Sequence, residues 1–452
     1  MLRVRSLTVI AGVATAALVL TACGSKSTPA GGAGTSSAAT SSAAATSGAM
    51  TSGAKTSSAM TSGAMTSGAK TSSAMTSGAM TSGAMTSSAM TSGAMTSGAM
   101  TSSAMTSGAM TSGAMTSGAM TSGAMTSGPA ASTFTGDPSK VSVGLAYDLG
   151  GRGDQSFNDA AARGLDKAKN AGVKVAGELE ATSGEPDSAK VDRLNQLVDD
   201  GATDIVAVGF AYAGPLGTVA KANPKVHFAI IDDFTPGTDT GPNIANLTFA
   251  EEQGSYLVGA AAALKSKSGH IGFIGGVNTP LIQKFQAGFD AGAKATKASI
   301  KIDDKYITEP PDFGGFNAPD KGQTIAKGMY DGGADVVYAA AGGSGAGVFK
   351  AAKAAGKLGI GVDSDQYNLP SLADVKSVIL TSMIKKVDVA VFDFIASGVN
   401  GKPLTGQHIY DLKAGGVDFS TSGGQVDSIK PKLDELKADI ISGKIKVPTK
   451  VG

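Results

Sequence analysis

The stretch AYDLGGRGDQSFND, residues 146–159, runs from the end of a hydrophobic strand through a Gly-rich loop into a helix. The apolar run Val141–Tyr147 stops at the acid Asp148, and seven loop residues follow, three of them Gly. Ser156, Phe157 and Asn158 then open a helical pattern that lasts to Asn170. A strand feeding a helix through a short polar turn is the start of a parallel α/β unit. In open sheets of that kind, ligands sit beyond the carboxyl ends of the strands. A carboxylate, a ring and an amide meet at such an end here.

Outward from this unit the same alternation runs to the C-terminus. The spacing predicts strands over Val141–Tyr147, Val173–Leu179, Asp204–Gly209, Val226–Ile231, His270–Gly275, Ile300–Ile307, Asp335–Ala340 and Leu358–Val362. It predicts helices over Phe157–Asn170, Ala189–Asp200, Gly214–Ala222, Thr279–Thr296, Lys321–Asp331 and Gly347–Ala355, several of them stopping at Gly. The fold class is therefore α/β, with mostly parallel sheets covered by helices on both faces. Roughly 310 residues are available after Lys140, enough for two lobes. A boundary falls at 243–252, which gives a first lobe over 136–247, the main part of a second over 248–375, and a return crossover over 376–452 contributing to both. Two such lobes form a cleft, and Asp148, Asp232, Asp233, Phe316 and Asp363 all fall at or just after predicted strand ends. That convergence points to a small polar ligand held between lobes.

Each candidate has a structural reading beside the functional one. Ser156 and Asp159 have capping-box spacing, with Asp in place of the usual Glu. Phe157 is either a ligand-facing ring or a core side chain, and Asp148 either meets the ligand or binds loop amides. In GVDSDQYN, residues 361–368, Asp363 caps a helix or accepts two hydroxyl hydrogen bonds from a diol; Asp365 is the weaker partner. In LTSMIKKVDVAVFDF, residues 380–394, Lys385 is the site candidate and Lys386 the solvent-facing member. The turn Gly343-Ser-Gly345-Ala-Gly347 is one residue short of a dinucleotide fingerprint, and a backbone approach to ligand or hinge explains it better. The histidines, His227, His270 and His408, have no metal spacing, and neighbouring acids such as Glu251-Glu252 make no ready acid/base pair. No nucleophile elbow, zincin helix or phosphate loop occurs. No enzyme activity, metal or cofactor is expected.

Upstream, Arg3 and Arg5 precede the uncharged apolar stretch Leu7–Leu20, which is too short to span a membrane comfortably. It ends in Leu20-Thr21-Ala22-Cys23-Gly24, which resembles the lipobox of bacterial lipoproteins. That resemblance implies a signal peptide over 1–22, acylation of Cys23 with chains such as palmitate, and anchoring on the extracytoplasmic face of the cell membrane. Cys23 is the only Cys, so no intrachain disulfide can form. Residues 23–135 read as a disordered tether whose core, Thr46–Met125, is sixteen pentapeptides of the form Thr-Ser-Gly/Ser-Ala-Met/Lys. As a flexible coil, such a tether reaches roughly 55–65 Å. The net charge of +1 gives no case for nucleic acid as a partner.

The set YDLGGRGDQSFNDAAARGL, FAIIDD, EEQGSYLVGAAAA, IGFIGG, FQAGFDAG, GADVVYAAAGGSGAGVFKAAK, IGVDSDQ and VILTSMIKKVDVAVFDFI resembles the basic membrane protein family. These are nucleoside-binding lipoproteins of ABC importers with the type I periplasmic-binding-protein fold. The resemblance spans nearly the whole folded region but not the tether. It implies that Phe157 stacks on a purine whose edge is read by Asp148 and Asn158. Phe316, with Phe313 as the alternate, is the implied second stacking ring, and Asp233, favoured over Asp232, a further base contact. Asp363 and Lys385 are the implied ribose-hydroxyl ligands. The implied function is capture of purine nucleosides by a monomeric receptor and delivery to a membrane permease. The alternatives are a sugar, a pyrimidine nucleoside or a signalling molecule as ligand, and, from a different class, a nucleoside hydrolase.

Overall fold

A computed structural model describes residues 132–452. The predicted signal peptide, Cys23 and the pentapeptide repeats lie outside the described residues.

The first half of the folded chain builds β1 (Ser142–Tyr147), α1 (Phe157–Asn170), β2 (Lys174–Glu180), α2 (Asp187–Asp199), β3 (Asp204–Val208), α3 (Ala213–Ala222), β4 (His227–Ile231) and β5 (Ile244–Phe249). After α4 (Glu251–Lys265) the scheme repeats with β6 (His270–Val277), α5 (Pro280–Thr296), β7 (Lys301–Thr308), α6 (Pro319–Asp331), β8 (Val336–Ala340), α7 (Gly345–Ala355), β9 (Leu358–Asp363) and β10 (Ile379–Lys385). The chain closes with α8 (Val387–Val399), β11 (Gly406–Tyr410), β12 (Val417–Phe419) and α9 (Lys430–Ile441). All the predicted strands and helices are present, with ends moved by two residues at most. The strands β5, β10, β11 and β12 are additional.

Two sheets of six strands result, in the orders β11-β5-β4-β3-β1-β2 and β12-β10-β9-β8-β6-β7. Every pairing is parallel except β10 with β12. Central strands are buried along their whole length, as β3 and β6 show, because helices cover both faces. The edge strands β2 and β7 stay half exposed. The chain passes between lobes at three places: β5 to α4, β10 to α8, and β11 to β12. Thus β5 extends the first lobe past the predicted boundary at 247, and the segment 376–452 contributes β10 and β12 to the second sheet and β11 to the first. The first lobe also begins earlier than residue 136. The Phe134 ring stacks on Phe392 of α8 at 5.2 Å, and Asn400 Oδ1 accepts from the Thr135 amide at 2.6 Å.

Small residues set how closely helices approach. A Cβ on Gly259, Gly288 or Gly292 would overlap the carbonyl oxygen of Phe289, Glu252 or Tyr256, so α4 and α5 pack backbone to backbone. The motifs EEQGSYLVGAAAA and FQAGFDAG are therefore read first as packing signals.

Candidate functional site

The carboxyl ends of β1, β3, β4, β8, β9 and β10 converge on one cavity between the lobes, completed by the start of α5 and the β7–α6 loop. The space between its walls is about 570 Å³, open solvent at the mouth included. From the first lobe it is lined by Asp148, Leu149, Asp154, Phe157, Asn158, Gly209, Phe210 and Asp232. From the second come Leu281, Ile282, Phe285, Phe316, Ala340, Ala341, Gly342, Val362, Asp363 and Lys385. Of the sequence-predicted residues, Asp148, Phe157, Asn158, Phe316, Asp363 and Lys385 share this lining.

Asp233 does not. It is half-buried outside the cavity, where it accepts from Thr235 Oγ1 at 2.8 Å, and burial first, then a hydrogen bond with Asp239, raises its pKa. Asp232 takes its place. Its backbone has φ of 69°, which turns its side chain towards the cleft, and Asp363 at the end of β9 has φ of 61°. With Gln155 these are the non-Gly residues of positive φ among the described residues, and all three lie in or beside this site. Asp tolerates that region because its short polar side chain bonds locally, but the strain is real and is held in place by its surroundings.

The β1–α1 turn is organised differently from the expected capping box. Ser156 makes no side-chain cap. Asp154 does this work: Oδ1 accepts from the Ser156 and Asp159 amides at 2.9 and 3.1 Å, and Oδ2 from the Asn158 amide at 2.8 Å. Burial outweighs those N–H groups and pushes the Asp154 carboxyl up to about 7. Asp159 instead accepts from the loop amides of Gly153 and Gln155. Ser156, freed from capping, donates to Asp363 Oδ2 across the cleft at 2.6 Å. Asn158 bridges the turn, accepting from the Asp148 amide and donating to Leu149 O and Asp154 Oδ2. One acceptor site on its Oδ1 remains for a ligand. Asp148 keeps some exposure through the cavity mouth, yet protein encloses its carboxyl enough to push the pKa up to about 6. Gly209, with φ of 105°, makes room for it, since a Cβ there would meet Asp148 Oδ2 at 2.5 Å.

At the far end Lys385 is 2% exposed. It donates to Asp232 Oδ2, lies 3.9 Å from Glu251 Oε1, and is ringed by Phe157, Phe249 and Phe285 at 4.7, 5.1 and 5.6 Å. Burial works against its charge, but Asp232, Asp363 and Glu251 together outweigh it and hold its pKa above the usual lysine value. Asp363 is raised by burial, with Lys385 and Ser156 opposing. The second Asp232 oxygen is buried and has no hydrogen-bond partner.

Phe316 and Phe313 separate cleanly. The Phe316 ring lies over Gly276, where any Cβ would collide with it, and Ser344 ties its loop to the β8–α7 turn through Gly315 O and the Ala318 amide, each at 2.7 Å. Phe313 does not line the cavity and instead meets Phe210 edge-on at 5.7 Å across the cleft. Asp154, Phe210 and Phe285 are site residues that the sequence reading missed. Asp154 carried one usable signal, an acid two residues ahead of the first helical turn.

An interlobe cavity with rings along its sides, carboxylates at strand ends and one caged ammonium is the site of a two-lobed solute-binding protein. The family model Bmp, described as ABC transporter substrate-binding protein PnrA-like, matches residues 140–450, and the chain belongs to that family. The ABC transporter nucleoside-binding protein BmpA of Lactococcus lactis is 36% identical over 324 residues, covering 69% of this chain and 90% of that protein. The CD4+ T-cell-stimulating antigen of Listeria monocytogenes is 36% identical over 327 residues, covering 68% and 88%. Among solved structures, a solute-binding protein of an ABC transporter system from Aeropyrum pernix superposes with a TM-score of 0.59 at 29% identity, covering 69% of this chain and 94% of that one. The chain is thus an ABC transporter substrate-binding protein with the periplasmic-binding-protein fold, a class that binds and releases its cargo without chemistry.

Proposed function

We propose that this protein captures purine nucleosides at the outer face of the cell membrane, anchored by lipid at Cys23, and delivers them to a permease. The observation that carries the reading is the pairing, in one cavity, of rings from both lobes with two polar ends. Phe157 and Phe316 supply aromatic faces, and base–aromatic stacking contributes about 1–3 kcal/mol per base. Asp148 and Asn158 supply acceptors for base N–H groups, and Asp232, bonded to Lys385, belongs with the other end. Asp363 has the two oxygens that suit a diol, and Lys385 adds a donor beside it. The nucleoside-binding relative from Lactococcus lactis supports the same ligand class. In this reading Cys23 carries the anchor, residues 23–135 serve as the tether, and the receptor works as a monomer.

The test is calorimetric titration of the full chain, unfolded and refolded to strip carried-over ligand, with inosine, guanosine, adenosine, cytidine, uridine and ribose. Tight one-to-one binding of purine nucleosides alone, lost in Phe157→Ala and Asp363→Ala, is the expected result. Binding of ribose or pyrimidine nucleosides with equal affinity overturns the purine assignment.

A further inference from the structure

Glu251 heads α4 directly after the first crossover between lobes and is fully buried, yet it lies outside the cavity lining. Its Oε2 accepts from Lys284 Nζ of α5 at 3.3 Å. Its Oε1 has no hydrogen-bond partner and sits 3.9 Å from Lys385 Nζ. A carboxylate enclosed this fully is costly unless it stabilises a neighbouring charge. Lys385 has three N–H donors, one of which goes to Asp232 in the first lobe. Asp232 alone would draw the ammonium towards that lobe. Glu251 and Asp363 also attract it, so the ammonium rests among three carboxylates, bonded to Asp232 and with a donor left over.

We propose that Glu251 is a positioning residue for the ligand site: with Asp232 bonded to the Lys385 ammonium, the Glu251 carboxylate beside it fixes the orientation of that ammonium and leaves one N–H for a ligand hydroxyl. This rests on the reading of Lys385 as a ligand contact. Lys385 ends the strand that runs into the second crossover, so the Glu251–Lys385 pair also joins two of the three interlobe connections. The groups facing Glu251 are Lys385 of β10, Lys284 of α5, Asp232 after β4 and Tyr338 of β8. Burial raises its pKa and the two lysines oppose that rise. Protonating it on acidification removes the charge that orients Lys385 beside its bond to Asp232 and weakens ligand binding.

Two measurements on the full chain test this. In the ligand-free protein, the acylation rate of Lys385 by an amine-reactive reagent is read by mass spectrometry, with Lys190 of α2 reporting any general loosening. Glu251→Gln is expected to speed labelling of Lys385 several-fold and to leave Lys190 unchanged, while Glu251→Asp labels at close to the wild-type rate. In calorimetry with inosine, Glu251→Gln is expected to weaken binding by about ten- to a hundredfold, the loss of about one charge-assisted hydrogen bond. It also flattens the wild-type loss of affinity in acid, and Glu251→Asp restores the slope. Unchanged Lys385 labelling in Glu251→Gln, or labelling that rises equally at Lys190, overturns the proposal. If the wild type binds no nucleoside, the functional reading fails, and the labelling arm alone still decides the role of Glu251.

Discussion

Replacing Lys385 with Met keeps a side chain of similar length in the cage while removing its ammonium. Three acids then face the empty charge: Asp232, which accepts its hydrogen bond, Asp363 and Glu251. All are buried, so solvation makes up little of the lost charge. Taking away one partner of a buried ion pair costs about 3–5 kcal/mol, because the other charge stays behind uncompensated. In the wild type the folded pKa of Lys385 lies above its unfolded value, so its contribution is complete below the unfolded lysine pKa and is lost only as pH rises through the folded one. The variant behaves in the opposite sense around neutrality. Burial already raises Asp363 and Glu251, and without Lys385 both rise further. A carboxyl whose folded pKa exceeds its unfolded value favours folding when protonated and opposes it once ionised. The deficit relative to wild type should therefore be about 3–5 kcal/mol at about pH 8 and clearly smaller at about pH 5. Urea unfolding followed by circular dichroism at both pH values measures it, and adding Asp232→Asn to Lys385→Met should recover part of the loss. A deficit under about 1 kcal/mol, or one equal at both pH values, refutes the caged-ammonium argument.

Asp154→Ala removes the acceptor of the Ser156 amide and of two α1 amides and should destabilise by about 1–2 kcal/mol in urea unfolding, a loss that Ser156→Ala should not reproduce by way of capping. Gly288→Ala drives a methyl into the Glu252 carbonyl at the α4–α5 contact, so a loss of about 1–3 kcal/mol is expected from thermal or urea unfolding. Phe316→Ala should weaken nucleoside binding by about 1–3 kcal/mol in calorimetry, whereas Phe313→Ala, which touches Phe210 and not the cavity, should change it far less.

The parallel α/β core was legible because its central strands are continuous apolar runs and its helices stop at Gly; Gly356, in the left-handed region at the end of α7, is one such stop. The strands that escaped notice are less regular. β5 reads IANLTF and carries the buried polar Asn246, whose amide bonds Asp233 O and Asp239, while β11 reads GQHIY and is mostly exposed at a sheet edge. Neither shows a period that a window would detect. At the site, residue types at strand ends pointed to the correct turns but could not say which of two neighbours turns inward. Asp232 and Asp233 were separated only by the positive φ of Asp232. The expected Ser156 cap failed for a related reason: local spacing cannot see Asp363, more than two hundred positions away, which takes the Ser156 hydroxyl.

That same hydroxyl links binding to closure. Contacts spanning the lobes include Ser156 to Asp363, Lys385 to Asp232, Gln366 Nε2 to Gln155 O at 2.8 Å, and Phe210 against Phe313. The three charged members of the first two contacts, Asp363, Lys385 and Asp232, line the cavity, so a ligand that bonds Asp363 or Lys385 acts on the groups that draw the lobes together. A ligand shifts a conformational balance only by its difference in affinity for the two forms. With each lobe supplying only part of the ring and carboxylate set, a ligand meets the full set in the closed form alone. The polar interlobe bonds then need only bring closure near balance, leaving the ligand to decide it.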